Sequence, residues 1–290
     1  MVSSELNLKE ANGIFEKELD LKVNSIQNSS FGRDHLVFIA NTKKGKFVLR
    51  YPLRDKNKIV IQKTVCELWR QKGVLVPKPL VLRKQYLIEE CLAGVDAKSV
   101  SLSKTETKRL FRDLGSQLKK MHSIREKGYG DLISARKGRY KSWKSYCDSF
   151  VYKSLRESLK KGRITKTEYL EARKLYKEHS PYLKAFNKPT LLHGDLVWVN
   201  FMVYKRKFSG IIDAADARCG DPLFDLGTMH QFIQDESLMK ELLTTYGKVD
   251  SKLILLYAWI VATKKVNSYD AKRWREKKKQ WKAFFKQLNT

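Results

Sequence analysis

The sequence predicts an α+β chain in two lobes. The first is small, with an antiparallel sheet and one helix. The second is larger and mainly helical. Three observations carry this. Residues 36–50 alternate as a hairpin, Leu36-Val-Phe-Ile-Ala40 and Lys46-Phe-Val-Leu-Arg50, about a Lys43-Lys44-Gly45 turn. From Lys104 onward helical periodicity dominates. Between Tyr86 and Gly94 the composition shifts, which marks a boundary near residue 93 and lobes of 1–92 and 93–290.

The elements follow in order. Residues 1–20 read as a polar amphipathic helix. The loop Gln27-Asn-Ser-Ser-Phe-Gly-Arg33 is small and polar. Its Ser29 and Ser30 and their backbone N–H groups could cradle phosphates, or form an ordinary turn. After the hairpin, residues 56–72 read as a helix whose one available acid is Glu67. Val76-Pro-Lys-Pro79 leads into a strand, and Tyr86-Leu-Ile-Glu-Glu90 forms another. Ser103 and Glu106 make a capping box ahead of a helix over 104–121. Leu110, Leu114, Leu118 and Met121 give that helix its apolar face, and Gly115 allows close packing. His122 closes it as a structural cap. Two more helices fill 145–186, split near Gly162. Leu253–Thr263 is an apolar run of 11 residues, too short to span a bilayer, and reads as a buried helix.

The stretch Leu191-Leu-His-Gly-Asp-Leu-Val-Trp-Val-Asn-Phe-Met-Val203, followed by Ile211-Ile-Asp213, carries the chemistry. His193 stands two residues before a carboxylate, Asp195. Asn200 follows, and Asp213 ends the next apolar run. Short apolar runs on both sides place these groups at strand ends, on loops held by a rigid base. Transfer of a phosphoryl group from a magnesium nucleotide needs such a set. One carboxylate orients the attacking hydroxyl and takes its proton, while an Asn and an Asp offer hard oxygens to the metal.

At these residues the chain resembles the aminoglycoside phosphotransferase and choline kinase superfamily, distant relatives of the protein kinases. That family's loop reads H-G-D-x-x-x-x-N, and its later segment I-D, then G-D-P-x-x-D-L. Here the second part is Ile212-Asp213, then Gly220-Asp221-Pro222-Leu223-Phe224-Asp225-Leu226. The resemblance implies a bilobal protein-kinase-like fold, with a nucleotide-binding N-terminal lobe and a catalytic and substrate lobe after it. It implies Asp195 as catalytic base, Asn200 and Asp213 as Mg²⁺ ligands, and His193 and Asp225 as supports of the catalytic loop. It also implies Arg50, in Val48-Leu49-Arg50, as the cation on the nucleotide phosphates. The family's helix acid falls about a turn before Glu67, so Glu67 is the expected partner of Arg50 only by default. Glu90 to Leu92 would form the hinge that meets the adenine edge. The co-substrate would be ATP or GTP. The acceptor expected on family grounds is an aminoglycoside-type antibiotic, an amino sugar or a related alcohol, which would make the chain a resistance-type transferase.

Composition bounds these readings. At 42% hydrophobic and 31% charged residues, the chain is globular and soluble. The N-terminus shows no basic region followed by an apolar one, so no signal peptide is expected. Cys66, Cys91, Cys147 and Cys219 have no metal-ligand spacing and suit a reducing cytoplasm. The net charge of +28 is unusual. It repels polycationic acceptors at long range unless Asp216, Asp221, Asp235 and Glu236 build a local acidic pocket. The densest stretch, 264–290, interleaves lysines with Trp274, Trp281, Phe284 and Phe285. It reads as a terminal helix docking its aromatics on the core, rather than a nucleic-acid or anionic-surface binder. Other readings stay open. One is a kinase for a protein or a lipid-linked glycan. The other is a nucleotide- or nucleic-acid-binding protein without turnover.

Overall fold

The computed structural model describes residues 6–29, 35–134, 136–184, 186–268 and 273–289. In chain order the first elements are α1 (Leu8–Leu19), β1 (Val23–Asn28), β2 (His35–Thr42), β3 (Gly45–Pro52), α2 (Asn57–Gln71), β4 (Pro79–Leu82), β5 (Leu87–Glu90) and β6 (Val95–Asp96). Then come α3 (Lys104–Met121), β7 (Tyr129–Ser134), β8 (Lys137–Tyr140), α4 (Trp143–Lys160), α5 (Lys166–His179) and β9 (Thr190–Leu192). The chain ends with β10 (Phe201–Tyr204), β11 (Lys207–Ile211), β12 (Arg218–Gly220), α6 (Leu223–Ile233), α7 (Glu236–Tyr246), α8 (Ser251–Ser268) and α9 (Trp274–Leu288). Two compact units result. One joins the chain up to residue 101 with 199–216, and the other joins 102–198 with 217–290.

The smaller unit is built on an antiparallel sheet in the order β1-β2-β3-β5-β4. Alternation fixes its faces. Phe38, Ala40, Phe47 and Leu49 turn inward and pack with Ala11 and Phe15 of α1. The β2–β3 turn is latched by Thr42, whose hydroxyl donates to the Gly45 carbonyl and accepts from the Lys44 amide. Helix α2 buries Ile59, Ile61, Val65, Cys66 and Trp69. A second small sheet, β11-β10-β6, brings residues 201–211 back to this unit. The Ile211 amide donates to the Leu75 carbonyl at 2.8 Å. Gly94 lets the strands pass: it sits at φ +103°, and a Cβ there would lie 2.0 Å from the Val203 carbonyl oxygen. Compactness therefore joins segments that are distant in sequence, which a single boundary near residue 93 does not describe.

The larger unit is mainly helical. The Ser103–Glu106 capping box starts α3, with bonds of 2.7 and 3.3 Å. Leu110, Leu114, Leu118 and Met121 are all buried. At Gly115 the α7 backbone comes so close that a Cβ would lie 2.2 Å from the Leu242 carbonyl oxygen. His122 stands at the C-cap, but its ring does not cap the helix: both nitrogens bond side chains of later helices, Asp225 and Tyr246. Helices α4 and α5 separate at Gly162, which has φ +65°. Helix α8 is buried along its middle, with Tyr257, Trp259 and Ile260 at zero exposure. Among the described residues no helix is long and apolar enough to cross a membrane.

The described part of the C-terminal stretch comprises the end of α8 and helix α9. Helix α9 buries Trp281 and Phe284, and the Trp281 indole N–H donates to the Thr263 hydroxyl at 3.0 Å. Glu168 of α5 clasps it from outside, with Lys278 at 2.8 Å and Lys282 at 2.6 Å. Burial works against the Glu168 charge. The bonds from Lys278 and Lys282, with the Thr165 amide, outweigh it and draw the carboxyl down to about 2. A carboxylate depressed on folding stabilises above its ordinary pKa and loses that effect as pH falls through the depressed value. Glu168→Gln should therefore lower the midpoint of thermal unfolding by a few degrees, roughly 2–4 °C per kcal/mol, at pH 6. By pH 2 the difference should have largely closed. Equal melting points at pH 6 would show that the clasp contributes nothing.

Candidate active site

In the larger unit, the short buried strand β9 pairs with β12 and runs straight into His193-Gly194-Asp195. Gly194 turns the chain at φ +82°. The turn exposes backbone amides that the strand no longer satisfies, and one carboxylate takes two of them. Asp225, at zero exposure in the first turn of α6, accepts from the His193 amide at 2.8 Å and the Gly194 amide at 2.9 Å. His122 Nε2 donates to the same carboxylate at 3.1 Å, and its Nδ1 lies 2.9 Å from the Tyr246 hydroxyl. Burial pushes the Asp225 carboxyl up, yet the hydrogen bonds from His122 and the Gly194 amide help hold it below the usual range. His193 is fully buried, and its Nδ1 accepts from the Asp195 amide at 3.3 Å. Leu196 is buried just beyond, and Trp198 packs edge-on against Phe111 at 5.4 Å. Asp195 is thus a half-buried carboxylate on a loop pinned from both sides.

Asp221 is committed elsewhere. It accepts from the Leu223 amide at 2.9 Å and the Tyr257 hydroxyl at 2.8 Å, and burial raises its pKa. That hydroxyl in turn accepts from the Trp143 indole at 2.7 Å.

In the smaller unit, Arg50 near the end of β3 is the centre of a second constellation. Its Nε donates to Glu89 at 2.7 Å, and another nitrogen lies 3.6 Å from Asp213. Glu89 is fully buried and Arg50 nearly so. The Gln62 amide of α2 also donates to both Glu89 oxygens, at 3.3 and 3.1 Å. Burial disfavours the Arg50 charge, but Glu89 and then Asp213 hold the guanidinium above its ordinary pKa. Asp213 is half-exposed and has φ +68°, a left-handed conformation that Asp tolerates better than most residues. Asn200 is nearly buried, and its carbonyl accepts from the Ile212 amide at 2.9 Å. That bond ties Asn200 to the strand end that carries Asp213.

The expected pairing of Glu67 with Arg50 is corrected here. Glu67 accepts from Lys63, one turn earlier on α2, at 2.8 Å. Glu89 reaches Arg50 because β5 pairs with β3 so that Glu89 stands opposite Val48, a diagonal neighbour of Arg50 on one face. Of the other expected contacts, Ser29 donates its amide to the Val37 carbonyl at 2.7 Å, extending the β1–β2 pairing, and Ser30 lies outside the described residues. The amides of Glu90 and Cys91 donate to the Lys78 and Lys46 carbonyls, at 2.9 and 3.0 Å. Glu89, Gln62 and the His122–Tyr246 pair were not singled out from sequence. For Glu89 a signal existed, since an acid that directly follows Leu87-Ile88 inside a strand needs a partner if it is buried.

Removing one partner of a buried ion pair costs about 3–5 kcal/mol, against 0–1 kcal/mol for a surface pair. Urea unfolding should place Glu89→Ala far below Glu67→Ala in stability. Similar losses in the two variants would contradict the assignment of Glu89 as the partner of Arg50.

Comparison with known proteins adds the family. The solved structures the chain resembles include a thermostable mutant of the aminoglycoside phosphotransferase APH(4)-Ia in ternary complex with AMP-PNP and hygromycin B. The identity is 13% and the TM-score 0.76, over 95% of this chain and 97% of that one. A streptomycin–ATP ternary complex of APH(2")-IIa matches at 18% identity and TM-score 0.63, covering 98% and 97%. The macrolide 2'-phosphotransferase MphH from Brachybacterium faecium matches at 17% and 0.65, covering 96% and 98%. At these identities the likeness establishes the kinase-like fold. No curated protein matches the sequence. The model of the phosphotransferase enzyme family matches residues 25–256, and with that span the chain belongs to this family.

Proposed function

We propose that this phosphotransferase moves the γ-phosphoryl group of ATP, as its magnesium complex, to the hydroxyl of a small molecule. One observation carries the reading. Asp195 is a half-buried carboxylate whose loop amides are fixed by a buried, charged Asp225. A base that must orient a hydroxyl and accept its proton has to be held in place before the substrate arrives.

Asp195 then orients the acceptor hydroxyl and takes its proton as the new P–O bond forms, while the bond from the γ-phosphorus to the bridging oxygen breaks and ADP leaves. Arg50, already charged and aimed by Glu89, steadies the nucleotide phosphates. Its fork geometry suits phosphate oxygens. Asn200 and Asp213 offer amide and carboxylate oxygens, which are donors that magnesium accepts. Among the described residues no cluster of three or more His, Cys, Asp or Glu forms a cage. That donor set fits an ion that completes its shell with phosphate oxygens and water. Bound Mg²⁺ would neutralise charge developing on the phosphate oxygens. Leu92 would meet the adenine edge, and Ser29 with Ser30 would border the phosphates. His193 and Asp225 act through the loop and touch neither substrate.

The acceptors suggested by the structural relatives are antibiotic hydroxyls, with amino sugars and related alcohols beside them. ATP is favoured over GTP because AMP-PNP and ATP occupy the related complexes. A binding role without turnover is disfavoured, since Asp195, Asn200 and Asp213 are all present. A macromolecular acceptor would show itself by phosphate incorporation into protein or lipid-linked glycan.

Turnover of Mg·ATP with a panel of hydroxyl acceptors tests the proposal. Asp195→Ala should lower kcat by about 100-fold or more and leave nucleotide affinity nearly unchanged. Arg50→Met should mainly raise KM for ATP. An unchanged kcat in Asp195→Ala would sink the assignment of the base.

A further inference from the structure

Of the four acids that could have built a cationic-substrate pocket, Asp216, Asp221 and Asp235 are spent on structure, while Glu236 is exposed in the first turn of α7. Asp216 pairs with Lys58 at 2.9 Å within the smaller unit. Asp221 is bonded to Tyr257 and to the Leu223 amide. Asp235 caps α7 by accepting from the Ser237 and Leu238 amides. Asp225 holds the catalytic loop.

What gathers near that loop instead is positive. Lys265 Nζ lies 4.7 Å from the centre of the Phe232 ring, and Lys277 Nζ 5.8 Å from the same ring. Lys264 sits over Phe150 at 5.5 Å, and Arg218 over Phe224 at 5.5 Å. Phe150 and Phe224 themselves touch edge to face, at 6.2 Å. Arg218 of β12 and Lys264 of α8 thus sit on one touching ring pair from α4 and α6, while Lys265 and Lys277 share Phe232 at the far end of α6. Two features tie the Phe150–Phe224 pair to the catalytic loop. Arg218 stands across the strand pair from Leu192, and Phe224 precedes the Asp225 that holds the loop.

Ring faces attract cations and fix their direction, but they do not cancel charge. Asp131, 3.8 Å from Arg218, and Glu276, 3.7 Å from Lys277, offset part of that charge; the like charges that remain repel one another, and an anion relieves that repulsion where a polycation adds to it. Lys265 shows the effect. Burial pushes its ammonium pKa down, and Lys264, Lys277 and Arg218 push it further, while Asp195 pulls the other way.

We infer that the acceptor is a hydroxyl compound that also carries a phosphate or carboxylate, held by Lys265 with Lys264 and Lys277 beside Asp195. This rests on the phosphotransferase reading above and narrows its acceptor class. A phosphate or carboxylate on these lysines would neutralise the cluster and leave Asp195 for the hydroxyl.

The test measures binding, so it does not depend on guessing the natural acceptor. Full-length protein is first titrated with Mg·AMP-PNP. Failure to bind it would count against the phosphotransferase reading itself. The nucleotide-saturated protein, with its phosphate site filled, is then titrated with glucose, glucuronate, glucose 6-phosphate, inorganic phosphate and hygromycin B. Expected are binding of the anions in preference to glucose and hygromycin B, and a loss of roughly tenfold or more for the anions in Lys265→Met, the size of a charged hydrogen bond. Lys264→Glu, at an exposed position, should weaken them too, and it serves if Lys265→Met fails to fold. Lys279→Met, on the exposed side of α9, should leave them unchanged. Tighter binding of hygromycin B or glucose would overturn the inference. So would failure of every anion to bind, or undiminished anion affinity in Lys265→Met and Lys264→Glu.

Discussion

The buried carboxylate of Asp225 is the interaction on which the loop of the proposed base, Asp195, depends. A strand that stops at Leu192 leaves the amides of His193 and Gly194 without strand partners, deep inside the larger unit. Each would cost about 1–3 kcal/mol if left unsatisfied. Asp225 answers both with charge-assisted bonds, and His122 supplies the partner that lets it stay ionised at zero exposure. The Tyr246 hydroxyl completes the chain on the far side of His122. The arrangement converts helix packing into loop geometry. Helix α3 brings His122, α6 brings Asp225, α7 brings Tyr246, and the product is the direction in which Asp195 points.

The smaller unit solves a parallel problem by different means. A cation that must meet phosphates has to be charged and pointed while its surroundings are nearly dry. Kinase-like folds usually aim that cation with an acid on the neighbouring helix. Here the helix contributes Gln62 and the acid comes from the next strand, as Glu89. A strand acid is fixed by the sheet ladder, so the direction of Arg50 depends less on where α2 lies. Asp213, strained into a left-handed conformation, takes the exposed side of the same guanidinium.

The sequence made some of this legible and hid the rest for identifiable reasons. The β2–β3 hairpin, the capping box of α3 and the buried α8 follow from local periodicity and turn chemistry, which is why they could be read. The catalytic motif was visible because its spacing is set by one strand, one turn and one hairpin. Glu89 was overlooked because its role depends on the register of β5 against β3, a non-local fact. Glu67 looked plausible because it is the one acid on α2, but its i,i+4 neighbour Lys63 was competing for it all along. The return of 199–216 to the smaller unit likewise depends on contacts far apart in sequence, such as Ile211 with Leu75. That Lys265 and Lys277 lie over Phe232 was not legible, because nothing local says that α6 offers them a ring.

The claim that Asp225 organises the site is tested most directly in Asp225→Asn, by amide hydrogen exchange at His193 and Gly194 alongside kcat. The account predicts that exchange at both amides quickens by roughly tenfold or more, since charged hydrogen bonds are worth about 1.5–3 kcal/mol each. Turnover should fall with it, while Mg·nucleotide affinity holds. Unchanged protection at these amides with turnover intact would mean that the loop stands without Asp225, and the account would be wrong at its centre.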